Sequence, residues 1–267
     1  MKRFILASAL VVAFCNVAFA DDGLKTAINS TQRSSENVSR NIYRHPYETL
    51  NFFGIRPDMK VVELAPGGGW YTEILAPYLR TNGLMIATAN DPTSDNEQLK
   101  RGYYRFKQKL DAKPELFDKV VLGVFEPPMN IHYAANNSVD LVLTFRNIHN
   151  WIALGNGSVK AVFQSAFNAL KPGGVFGVVE HRLPSSKEQD DKASSGYVHE
   201  KYVIDMAQSV GFTLVSASEI NANPKDNAEH DNGVWALPPT YVNKENNKAA
   251  YQAIGESDRM TLKFVKP

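Results

Sequence analysis

The feature that most constrains the fold is an alternation that begins after Pro57. Short apolar runs at residues 61–64, 84–89, 120–125, 139–145 and 175–179 are separated by longer stretches with helical patterning. Near-continuous Val, Ile and Leu runs mark strands covered on both faces. Alternating with helices, they imply βαβ units and a parallel sheet. Residues 70–79 read as a helix bent near Pro77, and Ser94 is placed to cap a charged helix running towards Leu110. Ser158 is placed to cap another, in which Val159, Val162, Phe163, Ala166, Phe167 and Leu170 share one face until Pro172-Gly173-Gly174 ends it. A helix over 203–210 and a strand over 212–215 follow, and residues 260–265 alternate with period two, predicting an antiparallel edge strand. The expectation is an α/β chain with a doubly wound, mostly parallel, seven-stranded sheet whose last strand is antiparallel.

Residues 1–20 read differently. Met1-Lys2-Arg3 precedes an apolar run over 4–14, and Ala18-Phe19-Ala20 supplies an A-x-A cleavage signal. This is the pattern of a signal peptide cut after Ala20, too short to be a comfortable transmembrane span. Phe14 is too bulky for the residue that precedes a lipidated cysteine. Cys15 is the only cysteine among 267 residues, so the mature chain has no disulfide, thiol nucleophile or thiolate metal site. Without disulfides, an exported chain of this kind suits a bacterial periplasm; a periplasmic or secreted protein with no stable membrane anchor after cleavage is expected. The formal charge of +1 becomes −1 once Lys2 and Arg3 leave, which gives nucleic-acid binding no support from bulk electrostatics. Residues 21–36 read as a polar, loose lead-in, followed by two short helices carrying Val38, Ile42, Leu50 and Phe53. The resulting division is 1–20, a helical lead-in over 21–56, and a main domain over 57–267.

The first strand-to-helix turn carries the strongest chemical signal: Glu63-x-Ala65-Pro66-Gly67-Gly68-Gly69. Glycines there let a ligand approach backbone N–H groups at the positive end of a helix. A dinucleotide fingerprint started at Gly67 would need its third glycine where Thr72 stands. A carboxylate before the loop, Glu63, is awkward for a pyrophosphate and suits a ligand with an amino group and no phosphates. Ligands in such sheets sit beyond the carboxyl ends of the strands, where this sequence places Arg146-Asn147-Ile148-His149-Asn150-Trp151 and Glu180-His181-Arg182. His149 is the first candidate for a base or substrate orienter and His181 the second. Arg146 and Arg182 are candidates to hold an anionic group, and Trp151 to wall the pocket or to serve as core. Tyr197, His199 and Tyr202 stand where substrate lids grow, although a surface loop is the favoured reading. His149, His181 and His199 lack the i, i+4 spacing of a helical metal site, so no metal is expected. Glu256-Ser257-Asp258-Arg259 reads as a turn with an ion pair.

Residues 63–69 resemble the first motif of class I S-adenosylmethionine-dependent methyltransferases, with Ala65 in place of the first glycine. Residues 170–175 are similar to the motif before the fifth strand of that family, residues 138–143 to its fourth strand, and Phe145-Arg146-Asn147 to the Arg-Asn of quinone-biosynthesis methyltransferases. The likeness covers about 53–182. The Gly-Gly-Gly-Trp-Tyr loop at 67–71 and Phe-Arg-Asn-Ile-His-Asn-Trp at 145–151 resemble those of a group of exported, predicted methyltransferases. The resemblance implies S-adenosylmethionine as cofactor and a small-molecule acceptor. It implies cofactor contacts from Glu63, Ala65, Gly67, Gly69, Trp70, Arg146 and Asn147. Asn90 or Asp91 would bind the ribose hydroxyls and Glu126 the adenine amino group. The alternative is a catalytically inactive ligand-binding protein on the same fold; a nicotinamide-dependent oxidoreductase is disfavoured by Thr72.

Overall fold

The computed structural model describes residues 22–267; the expected signal peptide lies outside the described residues. Eight strands form one sheet: β1 Lys60–Leu64, β2 Leu84–Ala89, β3 Val121–Glu126, β4 Asn130–His132, β5 Val139–Phe145, β6 Leu170–His181, β7 Thr213–Ser218 and β8 Arg259–Val265. Their order is β4-β3-β2-β1-β5-β6-β8-β7. β3, β2, β1, β5 and β6 run parallel to one another, and β8 runs antiparallel to both β6 and β7. The α/β doubly wound fold is therefore as expected, with one strand more than seven. The extra strand, β4, returns along β3 after the Pro127-Pro128 turn, with Glu126 opposite Asn130. Three residues are too few to show a period in sequence.

The last strand is also not an edge. β8 lies between β6 and β7; of its alternating polar residues Arg259 and Thr261 are buried and Lys263 is half-buried. Arg259 donates to Glu256 and to the Tyr43 carbonyl, and Thr261 is bonded by Asn221. A period-two polar pattern thus arises here from satisfied buried groups, which cost little once hydrogen-bonded. The edge is β7, most of whose residues are exposed.

Period two sorts the sheet into two cores. Val62, Leu64, Val142, Phe176 and Val178 face one layer, with helices Ile148–Leu154, Ser158–Ala169 and Glu200–Ser209. Val61, Leu141, Leu143 and Val179 face the other, with helices Thr72–Leu79 and Glu97–Asp111. The second layer also takes the N-terminal segment. Instead of a loose lead-in, helix Asp22–Ile28 buries Leu24, Ala27 and Ile28 against helix Thr72–Leu79. Helix Pro46–Phe53 starts with Pro46 at its first turn and ends in left-handed Gly54, a pairing favoured by both termini. Its Phe53 ring lies so close to β6 that a Cβ on Gly177 would stand 2.8 Å from it. Ile42, in contrast, is exposed. Two expected caps also shift: Asn96, not Ser94, accepts from Gln98 and Leu99, and Gly157 occupies the position before Ser158.

Candidate functional site

β1 and β5 are adjacent, and the chain leaves them in opposite directions across the sheet. Their carboxyl ends form the topological switch point where such sheets bind ligands. At both ends a non-glycine residue takes the left-handed conformation, Ala65 after β1 with φ 46° and Arg146 after β5 with φ 62°. Each costs of order 1–3 kcal/mol and persists only where its surroundings enforce it. Ala65 is held by its N–H to Thr88 Oγ1 at 2.8 Å, and its carbonyl accepts from Asn147 Nδ2 at 3.2 Å. Asn147 also reaches the Leu64 carbonyl at 3.1 Å, so one amide joins the two strand ends.

Gly67 and Gly69 continue the loop at φ 58° and 75°. Nothing lies within 4 Å of where a Gly67 side chain would start. The loop borders a cavity of about 560 Å³ whose wall includes Ala65–Gly68, Asn90, Phe106 and Asn147. Trp70 is not on that wall; it lines a smaller cavity on the other side of the loop. Its indole N–H donates to the Asn37 carbonyl, and the Arg33 and Arg44 guanidinia lie over its ring at 4.8 and 4.7 Å. Trp70 therefore joins the loop to the N-terminal segment. Glu63 sits behind the loop, wholly buried, with Thr72 Oγ1 donating to it at 2.7 Å. Burial pushes its carboxyl up to about 7, against the smaller opposing pull of Thr72, Lys109 and Arg146.

Asn90 lies on the cavity wall, its amide fixed on the Leu99 carbonyl. Asp91 does not: its oxygens accept from Thr93 and Asn130, and its N–H donates to Glu126 at 2.8 Å. Asp91 and Glu126 thus bind each other's loops and stand off the cavity wall. Helix Glu97–Asp111 supplies Phe106 and Arg105 to that wall, positions that no local motif marks.

A second cavity of about 340 Å³ opens beyond Arg146. His149 and His181 do converge there, with ring centroids 5.4 Å apart. His149 Nδ1 lies 3.1 Å from Glu180 Oε1, and Glu180 also accepts from the backbone N–H of Ile148 and His181. Donation of Nδ1–H to that carboxylate fixes the ring and leaves Nε2 as the nitrogen available to a bound molecule. Burial holds the His181 imidazole well below its usual value, as do His149 and the nearby arginines, so it is neutral. Its Nδ1 lies 2.5 Å from Ser257 Oγ. Ligand-type atoms of His149, Glu180 and His181 lie within 4.8 Å of one another, but Glu180 already accepts three hydrogen bonds.

Other expectations about this cavity change. Arg182 is bound by Asp258 and Glu219 instead of facing the site. Trp151 is core, edge-on to Phe125; Trp235 lines the cavity in its place, edge-on to His149 at 5.9 Å. Tyr197 is fully buried with its hydroxyl on Asp226, so it is neither a lid nor a surface loop. His199 precedes helix Glu200–Ser209, and Tyr202 borders a separate groove.

Glu256, expected in a simple turn, is a buried hub. It accepts from Arg40 Nε at 2.7 Å, Arg44 Nε at 3.0 Å and Arg259 NH1 at 3.2 Å, with Arg146 at 3.7 Å. Burial raises its carboxyl, but Arg259, Arg44, Arg146 and Arg40 outweigh that and bring it to about 2. A third cavity of about 290 Å³ lies between the other two. It shares Ala65–Gly68 and Asn147 with the first, and Arg40, Arg44 and Arg146 with the second.

No family model matches the chain. Over 152 residues it is 29% identical to a sterol 24-C-methyltransferase, ERG6A, of Gibberella zeae, covering 56% of this chain and 35% of that protein. The match therefore spans about a third of the relative's length. Among solved structures, a SAM-dependent methyltransferase from Aquifex aeolicus superposes with a TM-score of 0.52 at 15% identity, covering 76% of this chain and 94% of that one. The [4+2]-cyclase SpnF superposes with a TM-score of 0.55 at 12% identity, covering 88% and 84%. These likenesses show the fold, that of class I methyltransferases.

Proposed function

We propose that this chain is an S-adenosylmethionine-dependent methyltransferase acting on a small molecule. The observation that carries the reading is the row of three cavities at the switch point, joined by shared walls. The first fits a nucleoside without phosphates: its glycine loop is open to close backbone approach, Asn90 offers an amide for ribose hydroxyls, and Phe106 an aromatic face. The middle cavity would take the amino-acid end of the cofactor beside Arg40, Arg44 and Arg146. When bound, the cofactor supplies an electrophilic methyl group whose departure needs no acid. The protein's work is positioning and proton management. Arg146 and Asn147 fix the boundary between cofactor and acceptor. His149, oriented by Glu180, takes the proton of an acceptor hydroxyl or amine on Nε2, and neutral His181 borders the same space.

The leader-like residues 1–20 support export to the periplasm, and the loop and Phe-Arg-Asn-Ile-His-Asn-Trp segment support membership of the exported group. A second reading, a ligand-binding protein without catalysis, is favoured by one observation: Asp91 and Glu126 bind each other's loops, so neither acid faces the nucleoside cavity.

Calorimetry on the mature chain decides among these. S-adenosylmethionine and S-adenosylhomocysteine should bind, and NADH should not. No binding of either sulfur nucleoside at millimolar concentration would remove the methyltransferase reading; binding without turnover on a broad acceptor panel would select the second. Gly67→Val should weaken nucleoside binding about 100-fold (about 2.7 kcal/mol), because its side chain enters the approach face of the loop at a φ that β-branched residues avoid. Normal binding by the folded variant would show the loop assignment to be wrong.

A further inference from the structure

We propose that the acceptor taken by the His149 cavity is a small acid with a planar apolar body, its oxyanion held by Arg40, Arg44 and Arg146. This rests on the methyltransferase reading and names the acceptor class for that site.

The first observation is a charge imbalance with a direction. Four guanidinia, from Arg40, Arg44, Arg146 and Arg259, surround the single carboxylate of Glu256. Arg259 is consumed: it donates to Glu256 and to the carbonyls of Ser257 and Tyr43. Arg40 and Arg44 donate to Glu256 through Nε, and their terminal nitrogens make no hydrogen bond among the described residues. Arg146 makes no side-chain hydrogen bond among them at all, its nearest acid being Glu256 at 3.7 Å. All three line the cavity. Burial lowers Arg146 to about 10 and lowers Arg44 as well, with neighbouring arginines adding to the effect. Arg44 is buried, and the Arg40 and Arg146 side chains are only about a fifth exposed; guanidinium donors left unmatched there are costly, and an oxyanion is the ligand whose geometry accepts two at a time. Arg146 reaches this position from a left-handed backbone, φ 62°.

The second observation is the opposite wall. Val234, Trp235, Pro238 and Pro239 line the same cavity as the arginines, and Trp235 is only half-buried. These flat apolar surfaces come from a segment outside the sheet and suit a ring or unsaturated chain. His149, edge-on to Trp235, borders the same space. An acceptor anchored at one end by its acid and flanked by Trp235 presents a hydroxyl or amine to Nε2. The amino-acid end of the cofactor also carries a carboxylate and reaches the same arginines from the other side; the test must separate the two anions.

The experiment titrates the mature chain with 4-hydroxybenzoate, 4-hydroxybenzamide, phenyl phosphate and phenol, first alone and then saturated with S-adenosylhomocysteine. At saturation each acid should bind at least about tenfold more tightly than its neutral counterpart. The preference should fall with added salt, and Arg146→Gln should reduce it to less than about threefold. Arg40→Gln, a partly exposed site, serves if Arg146→Gln does not fold, and should reduce it in the same direction. Equal binding of acid and neutral partner at saturation, or binding of none of the acids, would overturn the proposal and assign the arginines to the cofactor alone. Failure of S-adenosylhomocysteine to bind would instead remove the methyltransferase reading. The acid preference of the chain alone would then still stand or fall by the same comparison.

Discussion

The two outer cavities hold buried glutamates that behave in opposite ways. Glu63, behind the glycine loop, is bonded by one threonine hydroxyl and is pushed up to about 7. Glu256, at the arginine cavity, is nearly as hidden, yet four guanidinia hold it near 2. Burial alone disfavours the charge in both places; the difference is whether cations have been brought in to oppose it. The loop cavity is a place for a ligand without phosphate, built by the sheet's own turns. The arginine cavity is a cation-rich space assembled from segments far apart in the chain. Its surplus charge has one internal acid to hold it together.

Removing that acid should have the largest effect. Glu256→Gln leaves Arg40, Arg44, Arg146 and Arg259 without a buried counter-charge, and breaking such a cluster costs about 3–5 kcal/mol. Thermal and urea unfolding measure it. A variant within 1 kcal/mol of the parent would mean that solvent already neutralises the cluster and that the contrast between the cavities is false. pH checks the same claim independently. A folded value depressed to about 2 from an ordinary 4.5 contributes stability above pH 4.5 that is lost as pH falls towards 2.

The next effect sharpens the contrast on function. His149→Ala should lower turnover by about 10²–10⁴-fold while S-adenosylhomocysteine binds as before, since a positioned base contributes about that much and His149 lines the arginine cavity, not the loop cavity. Unchanged turnover removes His149 from the chemistry; lost nucleoside binding would show that the two cavities do not act separately.

The same contrast explains what was legible in the sequence. The loop cavity was readable because Glu63 near the end of a strand is followed within a few residues by Ala65, Gly67 and Gly69 and then a helix, so a local pattern encodes a local shape. His149 and His181 were readable because one follows β5 and the other ends β6, and the topology rule places strand ends together. Arg40, Arg44, Trp235 and Glu256 were not. They come from outside the five parallel strands, and their meeting depends on tertiary packing, that of helix 46–53 against β6 and β8 included. Arg182, and Trp151 as a pocket wall, failed for a related reason: a residue's neighbours along the chain do not reveal which way its side chain leaves the strand or helix. Core, the other role open to Trp151, is the one it has. Asp91 lay in the expected turn but was consumed by Thr93 and Asn130. Only the partners of a polar side chain decide whether it is free for a ligand.

The smallest effect concerns Glu63 and has the opposite sign in pH. Its folded value, about 7, lies above the ordinary 4.5. Between those values the folded chain binds more protons than the unfolded one, so stability falls as pH rises. The full loss is roughly 3 kcal/mol and is complete above pH 7. Glu63→Gln keeps an oxygen for the Thr72 hydroxyl but carries no charge at any pH, so the variant and the parent should match near pH 4.5. By pH 8 the variant should be the more stable, by up to roughly 3 kcal/mol. Urea unfolding of both chains at the two pH values measures this. Equal stability at pH 8 would mean that Lys109 and Arg146, which already pull Glu63 down, neutralise it as Arg44 and Arg259 neutralise Glu256. The two glutamates would then differ in degree and not in kind. A stabler variant would instead show that the chain keeps an uncompensated acid behind its glycine loop, at a cost to its own folding.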